Sequence, residues 1–407
     1  MKYGTKLYYL VSFILILLVM QEVSANSFKH DLLQKAALNN GYKLPIEVNS
    51  EFDVAKSNLG KIFFEDESLS FNSEVSCASC HVDDFSSADG LPIALGVGAH
   101  GKGIARINSH AAIVPRNVLP LWGRASVDFD TFFWDGKVQS KNGVIVSQFG
   151  LNLPSKNTLE VALNLPFVEI REMVNDTNEV TSQLMDETIS SATHIQTELL
   201  RRVKSNSEIK ERLLLAFDIK ENELNFQHII KSIRHFFSDK FKLQESKFSQ
   251  FISGNKTLTS DEVDGGLIFY GKGKCATCHS GPHFSDLSFH TIITPQFGFG
   301  KNGFGVDYGR FNSTFNINDL YKFRTPPLHN VSKTSPYGFS GGVKNLSDIV
   351  EMHYDPLKFI DPSKLLPNDR RELFAKMVRV DNFQSIPTAL SDRELRLLMA
   401  FLNTLSF

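Results

Sequence analysis

All four cysteines of the chain lie in two copies of one frame, Cys77-Ala78-Ser79-Cys80-His81 and Cys275-Ala276-Thr277-Cys278-His279. C-x-x-C-H is the attachment frame of c-type haem. Its two thiols form thioethers with the porphyrin vinyl groups, and the histidine that follows offers an axial imidazole to the iron. The residues therefore predict two covalently bound haem c groups, with His81 and His279 as proximal ligands. Each iron keeps a second axial position. Left open, that position binds peroxide or another small ligand; filled by a protein ligand, it makes an electron-transfer centre. With every cysteine used this way, none remains for a structural disulfide.

The elements that must hold these frames are helical. A stretch with glycine and large apolar residues precedes each frame, Leu59-Gly60-Lys61-Ile62-Phe63-Phe64 before the first and Gly266-Leu267-Ile268-Phe269-Tyr270-Gly271 before the second. This predicts a duplicated helical haem module. Thr259 with Glu262, and Ser391 with Glu394, are capping boxes that open helices. Ile209, Leu213 and Phe217 recur at helical spacing, as do Ile229, Ile233 and Phe236. The last helix carries Leu395, Leu398, Met399, Leu402 and Leu405 on one face, and is expected to pack against the first helix of its module. Residues 82–130 and 281–345 are rich in Gly, Pro, Asn and Ser and read as long loops wrapped round a cofactor.

At 407 residues and 42% hydrophobic content the chain can bury two domains, divided here at residue 240: a first haem domain over 26–240 and a second over 241–407. The 34 phenylalanines suit core and haem-pocket lining. A net charge of −2 gives no argument for nucleic acid or an anionic membrane as partner. Residues 1–25 read as a signal peptide: Lys2 and Lys6, then an apolar run from Leu7 to Met20, then the small-residue cleavage site Val23-Ser24-Ala25. The run is short against the roughly 20 residues of a membrane span, although a retained anchor is the alternative. Export to the periplasm agrees with haem attachment outside the cytoplasm.

The ordered set of motifs resembles the bacterial di-haem cytochrome c peroxidases and their MauG-type relatives over nearly all of the mature chain. Around the first frame the resemblance rests on Pro115-Arg116-Asn117 and Phe133-Trp134-Asp135-Gly136-Lys137. Around the second it rests on Phe284-Ser285-Asp286, Asp307-Tyr308-Gly309-Arg310, Phe323-Arg324-Thr325-Pro326-Pro327-Leu328 and Ser335-Pro336-Tyr337. It implies a mainly α fold of two cytochrome c-like haem domains with long loops, the N-terminal haem peroxidatic and the C-terminal haem passing electrons to it. Pro166 and Glu172-Met173 match the family's Pro and Glu-Met, which implies that Glu172 is the acid–base group for O–O cleavage. Trp134 matches the tryptophan between the haems, an electron relay. Asn117, with the carbonyls of Thr334 and Pro336, matches a calcium site, and oxygen ligands suit that cation. Two positions depart from the pattern: Ala162 replaces a Gln, and Phe339 replaces a His.

The distal ligand of the second haem falls at Met352-His353-Tyr354, where the three chemical candidates are adjacent. Successive helix residues point about 100° apart, so one of them faces the iron. His353 leads, then Met352, then Tyr354, and the surrounding run resembles a His-ligated, methanobactin-associated MauG-like branch. His100 and His110 do not fit the spacing of a distal ligand for the first haem and read as surface or hydrogen-bonded residues. His283, His290 and His329 read as propionate or backbone partners. The resemblance implies hydrogen peroxide as substrate, and as electron donor a small periplasmic cytochrome c or cupredoxin. The alternative is a MauG-type enzyme whose two high-valent irons oxidise a Trp or Tyr of a partner protein. A pure electron-transfer cytochrome is a third reading, against which Glu172 argues. Family members form homodimers, but no dimer surface is visible in the sequence.

Overall fold

The computed structural model describes residues 26–108, 110–175, 189–294, 296, 298–380 and 388–407. The signal-peptide reading lies outside them. Helices dominate. α1 spans 26–39, α2 Val54–Glu65, α3 Thr158–Asn164, α4 Ile189–Ser205, α5 Ser207–Phe217 and α6 Phe226–Lys240. α7 (Lys247–Ile252), α8 (Ser260–Tyr270), α9 (Leu346–Met352), α10 (Pro367–Met377) and α11 (Asp392–Asn403) follow. The capping boxes open α8 at Thr259 and α11 at Ser391. Segments 82–130 and 281–345 are mostly loop. They hold single turns and two-residue strands such as β1 (Ala94–Leu95), paired antiparallel with β2 (Ile113–Val114).

Two apolar cores organise the chain. The first joins Leu59 and Phe63 of α2 to Ile229, Ile233 and Phe237 of α6, with Leu159, Phe167 and Ile195 around them. The second joins Phe269 of α8 to Leu398, Phe401 and Leu402 of α11, with Phe248, Phe251 and Met352. One close helix crossing recurs in both: α2 on α6, and α8 on α11. In each a glycine lets the backbones approach. A Cβ on Gly60 would lie 2.0 Å from the Ser232 carbonyl oxygen, and one on Gly265 would lie 1.9 Å from that of Leu397. The second contact falls at Gly265 rather than Gly266, which faces the Leu33 side chain instead.

The first core runs to Phe241 and the second resumes at Phe248. Leu33, Ala37 and Tyr42, however, belong to the second core. α1 docks there through Lys29–Asp264 at 2.7 Å and the Gln34 side-chain amide donating to the Phe251 carbonyl at 3.0 Å. The second core therefore takes a helix from each end of the described chain.

Candidate functional site

A cavity of about 810 Å³ opens in the first module. Cys77, Cys80 and His81 line it together with Trp134, Pro166, Glu172 and Ala162. The frame Cys77–Cys80 is a single helical turn capped by Ser76. His81 follows, its Nδ1–H donating to the Ser87 carbonyl at 2.8 Å. That bond leaves the Nε2 lone pair for a metal, the usual arrangement of a ligating histidine. Burial lowers the ring pKa to about 4, so the imidazole is neutral at physiological pH, as ligation requires. The residues present therefore fit a haem in this cavity.

Glu172 is carried by a tight turn, and β1 positions that turn. The Val97 N–H donates to the Arg171 carbonyl at 3.0 Å, and Arg171 sits in the left-handed region at φ +73°. A Cβ on Gly96 would lie 1.8 Å from the Arg171 carbonyl oxygen, so only glycine admits the approach. Burial and the neighbouring Glu169 raise the Glu172 carboxyl to about 7, against the opposing pull of Lys137 and Lys301. Glu169 also lines the cavity. It is ion-paired with Lys137. Burial alone would raise Glu169, but Lys137 and Lys301 hold it below its ordinary value. Two carboxylates three residues apart thus have their pKa values pushed in opposite directions, a pattern that separates a proton carrier from a fixed charge.

Lys301 reaches the same cavity from the second module, on the hairpin of Phe299–Gly300 and Gly303–Phe304. Asp135 ties this side together. It accepts from Arg116 at 2.7 Å and lies 3.8 Å from Lys301, while Arg116 also grips Asp307 through two bonds of 2.9 Å. Burial alone would raise Asp135, but the three surrounding cations hold it well below the usual carboxylate range. Trp134 sits beside this bridge. Its indole N–H donates to the Asn117 carbonyl at 2.8 Å, and its ring clusters with Phe323 and Phe339, which stack at 3.8 Å. Phe339, where the family has His, is therefore part of an apolar junction between the modules.

In the second module the His279 Nδ1–H donates to the Phe284 carbonyl at 2.9 Å. Facing it is His353, just past the end of α9, whose Nδ1–H donates to the Ile349 carbonyl at 2.6 Å. The two ring centroids are 6.5 Å apart. A metal–nitrogen bond of about 2.0 Å on each side, with about 1.1 Å from each nitrogen to its ring centre, predicts roughly 6.2 Å. The spacing fits one iron held between two imidazoles. Met352 is buried in the second core.

The remaining predicted positions divide. Asn117 reaches Pro336, its amide donating to that carbonyl at 2.8 Å. His100 and His110 are exposed. His290 pairs with Asp286 at 2.8 Å, and the His329 Nε2–H donates to the Pro282 carbonyl at 2.9 Å. Sequence reading missed Glu169, Lys301 and Gly96. Glu169 carried a signal, an acid one turn before Glu172; Lys301 and Gly96 carried none, because only the fold brings them to the cavity.

Residues 54–257 match the family described as di-haem cytochrome c peroxidase. The chain is similar to the methylamine utilization protein MauG of Methylorubrum extorquens, with 26% identity over 94% of this chain and 87% of that protein. It is also similar to a cytochrome c peroxidase of Escherichia coli, with 25% identity over 76% of this chain but only 55% of that longer protein. A crystal structure of a MauG-like protein associated with microbial copper homeostasis shares the fold. It superposes with a TM-score of 0.63 at 21% identity, over 90% of this chain and 93% of that one.

Proposed function

Since the chain belongs to the di-haem cytochrome c peroxidase family, we propose that it reduces hydrogen peroxide to water in the first cavity, with electrons delivered through the second module. The observation that carries this reading is Glu172: a carboxyl near pKa 7 lining the cavity that also holds His81. A haem bound there supplies the peroxide-binding iron and the electrons for O–O cleavage. Cys77, Cys80 and His81 would hold it. Glu172 would carry a proton from one peroxide oxygen to the other, so that the departing oxygen could leave as water. A group that titrates near neutrality does both steps efficiently. Pro166 shapes the turn before it. Over the cycle two electrons and two protons convert one peroxide into two waters.

Cys275, Cys278 and His279 would hold the second haem together with His353, and a haem with two histidine ligands would supply electron transfer rather than peroxide binding. Trp134, at the junction of the modules, relays them. The donor is a small cytochrome c or cupredoxin of the periplasm, which the protein reaches through its signal peptide. Calcium at Asn117, Thr334 and Pro336 and a homodimer complete the reading.

One observation favours a second reading. His279 faces His353, and an iron between these two imidazoles would have a lower potential than one with His/Met ligation, which would disfavour half-reduction by a donor. That suits a MauG-type enzyme, in which peroxide oxidises both centres and a Trp or Tyr of a partner protein restores them.

Optical and EPR spectra of the diferric protein, before and after one equivalent of hydrogen peroxide, separate the two. A long-lived oxidised species without prior reduction favours protein oxidation. Silence until one haem is reduced, then turnover with a cytochrome donor, favours the peroxidase. Glu172→Gln should lower peroxide consumption by about 10²–10⁴-fold while both haems still reduce normally; an unchanged rate refutes either reading as assigned.

A further inference from the structure

Both proximal histidines lean on the same kind of strained carbonyl. The His81 Nδ1–H donates to Ser87 at 2.8 Å, and the His279 Nδ1–H to Phe284 at 2.9 Å. Each acceptor residue lies in the left-handed region, Ser87 at φ +66° and Phe284 at φ +50°, and Ser86 beside the first is left-handed too, at φ +53°. Residues other than glycine hold that conformation where their surroundings enforce it. In the first module Leu121 and Trp122 supply the hold. The Leu121 N–H donates to Ser87 Oγ at 2.8 Å, and the Trp122 indole N–H reaches the Ser86 carbonyl at 3.1 Å and Ser86 Oγ at 3.0 Å. In the second module Phe284 is buried, and its ring meets His329 edge-on at 5.4 Å.

Phe407 closes the distance between these two anchors. It follows α11 in the second module, yet its ring stands edge-on to Trp122 of the first at 5.0 Å, and 6.1 Å from His329 of its own. Its place is fixed from both sides. The Phe407 N–H donates to Asn330 Oδ1 at 2.9 Å, and Lys333 Nζ donates to the Phe407 carbonyl at 2.6 Å. Rings at these separations touch. Contacts therefore run unbroken from one proximal imidazole to the other. Hydrogen bonds lead from His81 through the Ser86–Ser87 backbone to Trp122; the rings of Phe407, His329 and Phe284 follow; the Phe284 carbonyl then reaches His279. Trp134, the chain's other tryptophan, stands apart, with its N–H on Asn117 and its ring against Phe323 and Phe339. Electron tunnelling through protein falls off steeply across empty gaps and less steeply along covalent bonds, hydrogen bonds and touching rings.

We propose that Trp122 and Phe407 form a second electron route between the haem sites, one that joins the two proximal imidazoles and bypasses Trp134. The inference rests on the haem assignment and on the delivery of electrons through the second module, but not on what the first site does with peroxide. With haem at both frames, one electron would leave the second iron and one would arrive at the first; no bond forms or breaks and no proton moves. The crossing between modules is the single ring contact of Phe407 on Trp122. Two routes in parallel mean that closing the one at Trp134 slows the transfer without stopping it.

The test is pulse radiolysis of the haem-loaded full-length protein, without peroxide. The second haem is reduced in the pulse, and the passage of its electron to the first is timed from their absorption bands. The variants are made in a Trp134→Phe background, which removes the other indole. There Phe407→Leu should slow the transfer several-fold, Phe407→Trp, which keeps a ring, should restore it, and Trp122→Phe, which loses the bond to Ser86, should also slow it. A rate indifferent to Phe407→Leu and Trp122→Phe overturns the proposal, as does a loss that Phe407→Trp fails to rescue. The potentials of both irons are titrated alongside; a shift large enough to account for the slower rate makes the effect one of driving force and overturns the route too. Should the double variants fail to fold, Phe407→Leu alone decides: a slower transfer supports the route and an unchanged one refutes it. A wild type in which no electron passes between the sites overturns the delivery of electrons through the second module as well, whereas transfer that ignores Trp122 and Phe407 overturns this route alone.

Discussion

At the scale of single residues, chemistry here depends on which acid is left unpaired. Glu169 is ion-paired with Lys137; at Glu172 burial and the like charge of Glu169 outweigh the pull of Lys137 and Lys301, and its carboxyl sits near 7. Its carboxylate form must be present to take the first proton. kcat/KM for peroxide should therefore rise with pH through about 7. Lys301→Met removes a cation that favours the carboxylate, so the limb should move to higher pH, and a pH–rate profile of the variant checks the sign. At the second iron, His353→Met should raise the reduction potential and abolish the bis-imidazole EPR signal; an unchanged spectrum would mean that His353 is not a ligand. The C-x-x-C-H frames were readable because the chemistry is local, five residues in a row. Glu172 was readable only through the resemblance. Lys301 was not readable, since a lysine in a loop looks like a surface charge until the fold brings it to the cavity.

At the scale of elements, close approaches decide what can sit where. The Glu172 turn depends on β1 through Gly96, whose added Cβ would overlap the Arg171 carbonyl. Gly96→Ala should push the carboxylate away from the cavity and cost about 10²-fold in peroxide turnover, a typical penalty for a displacement of about an ångström. Haem content and the proximal histidine should be unaffected, which a haem assay and optical spectra will show. α8 and α11 were legible because each opens on a capping box, and α5 and α6 because apolar residues recur along one face. β1 and β2 were not, because two residues make no period. The placement of the close crossing at Gly265 rather than Gly266 was equally hidden, since a pair of adjacent glycines does not reveal which one faces the partner helix.

At the scale of the whole molecule, the modules share more than a linker. Arg116 of the first bridges Asp135 of its own module to Asp307 of the second, and Trp134 packs on Phe323 and Phe339. The mainly helical, two-core plan was legible from the repeated frames and the helix before each. The place of α1 was not, because its apolar residues would suit either core. Its docking predicts that a fragment of residues 241–407 alone melts without a cooperative transition, and that adding a peptide of residues 26–44 restores one, as followed by circular dichroism. A cooperative fragment without the peptide would show that α1 is dispensable. The arrangement also sets an order in time. A chain made from its N-terminus delivers α1 first and α11 last, so the first core can close while the second still lacks its final helix. The second core, with Cys275 packed against it, is then the last to be sealed.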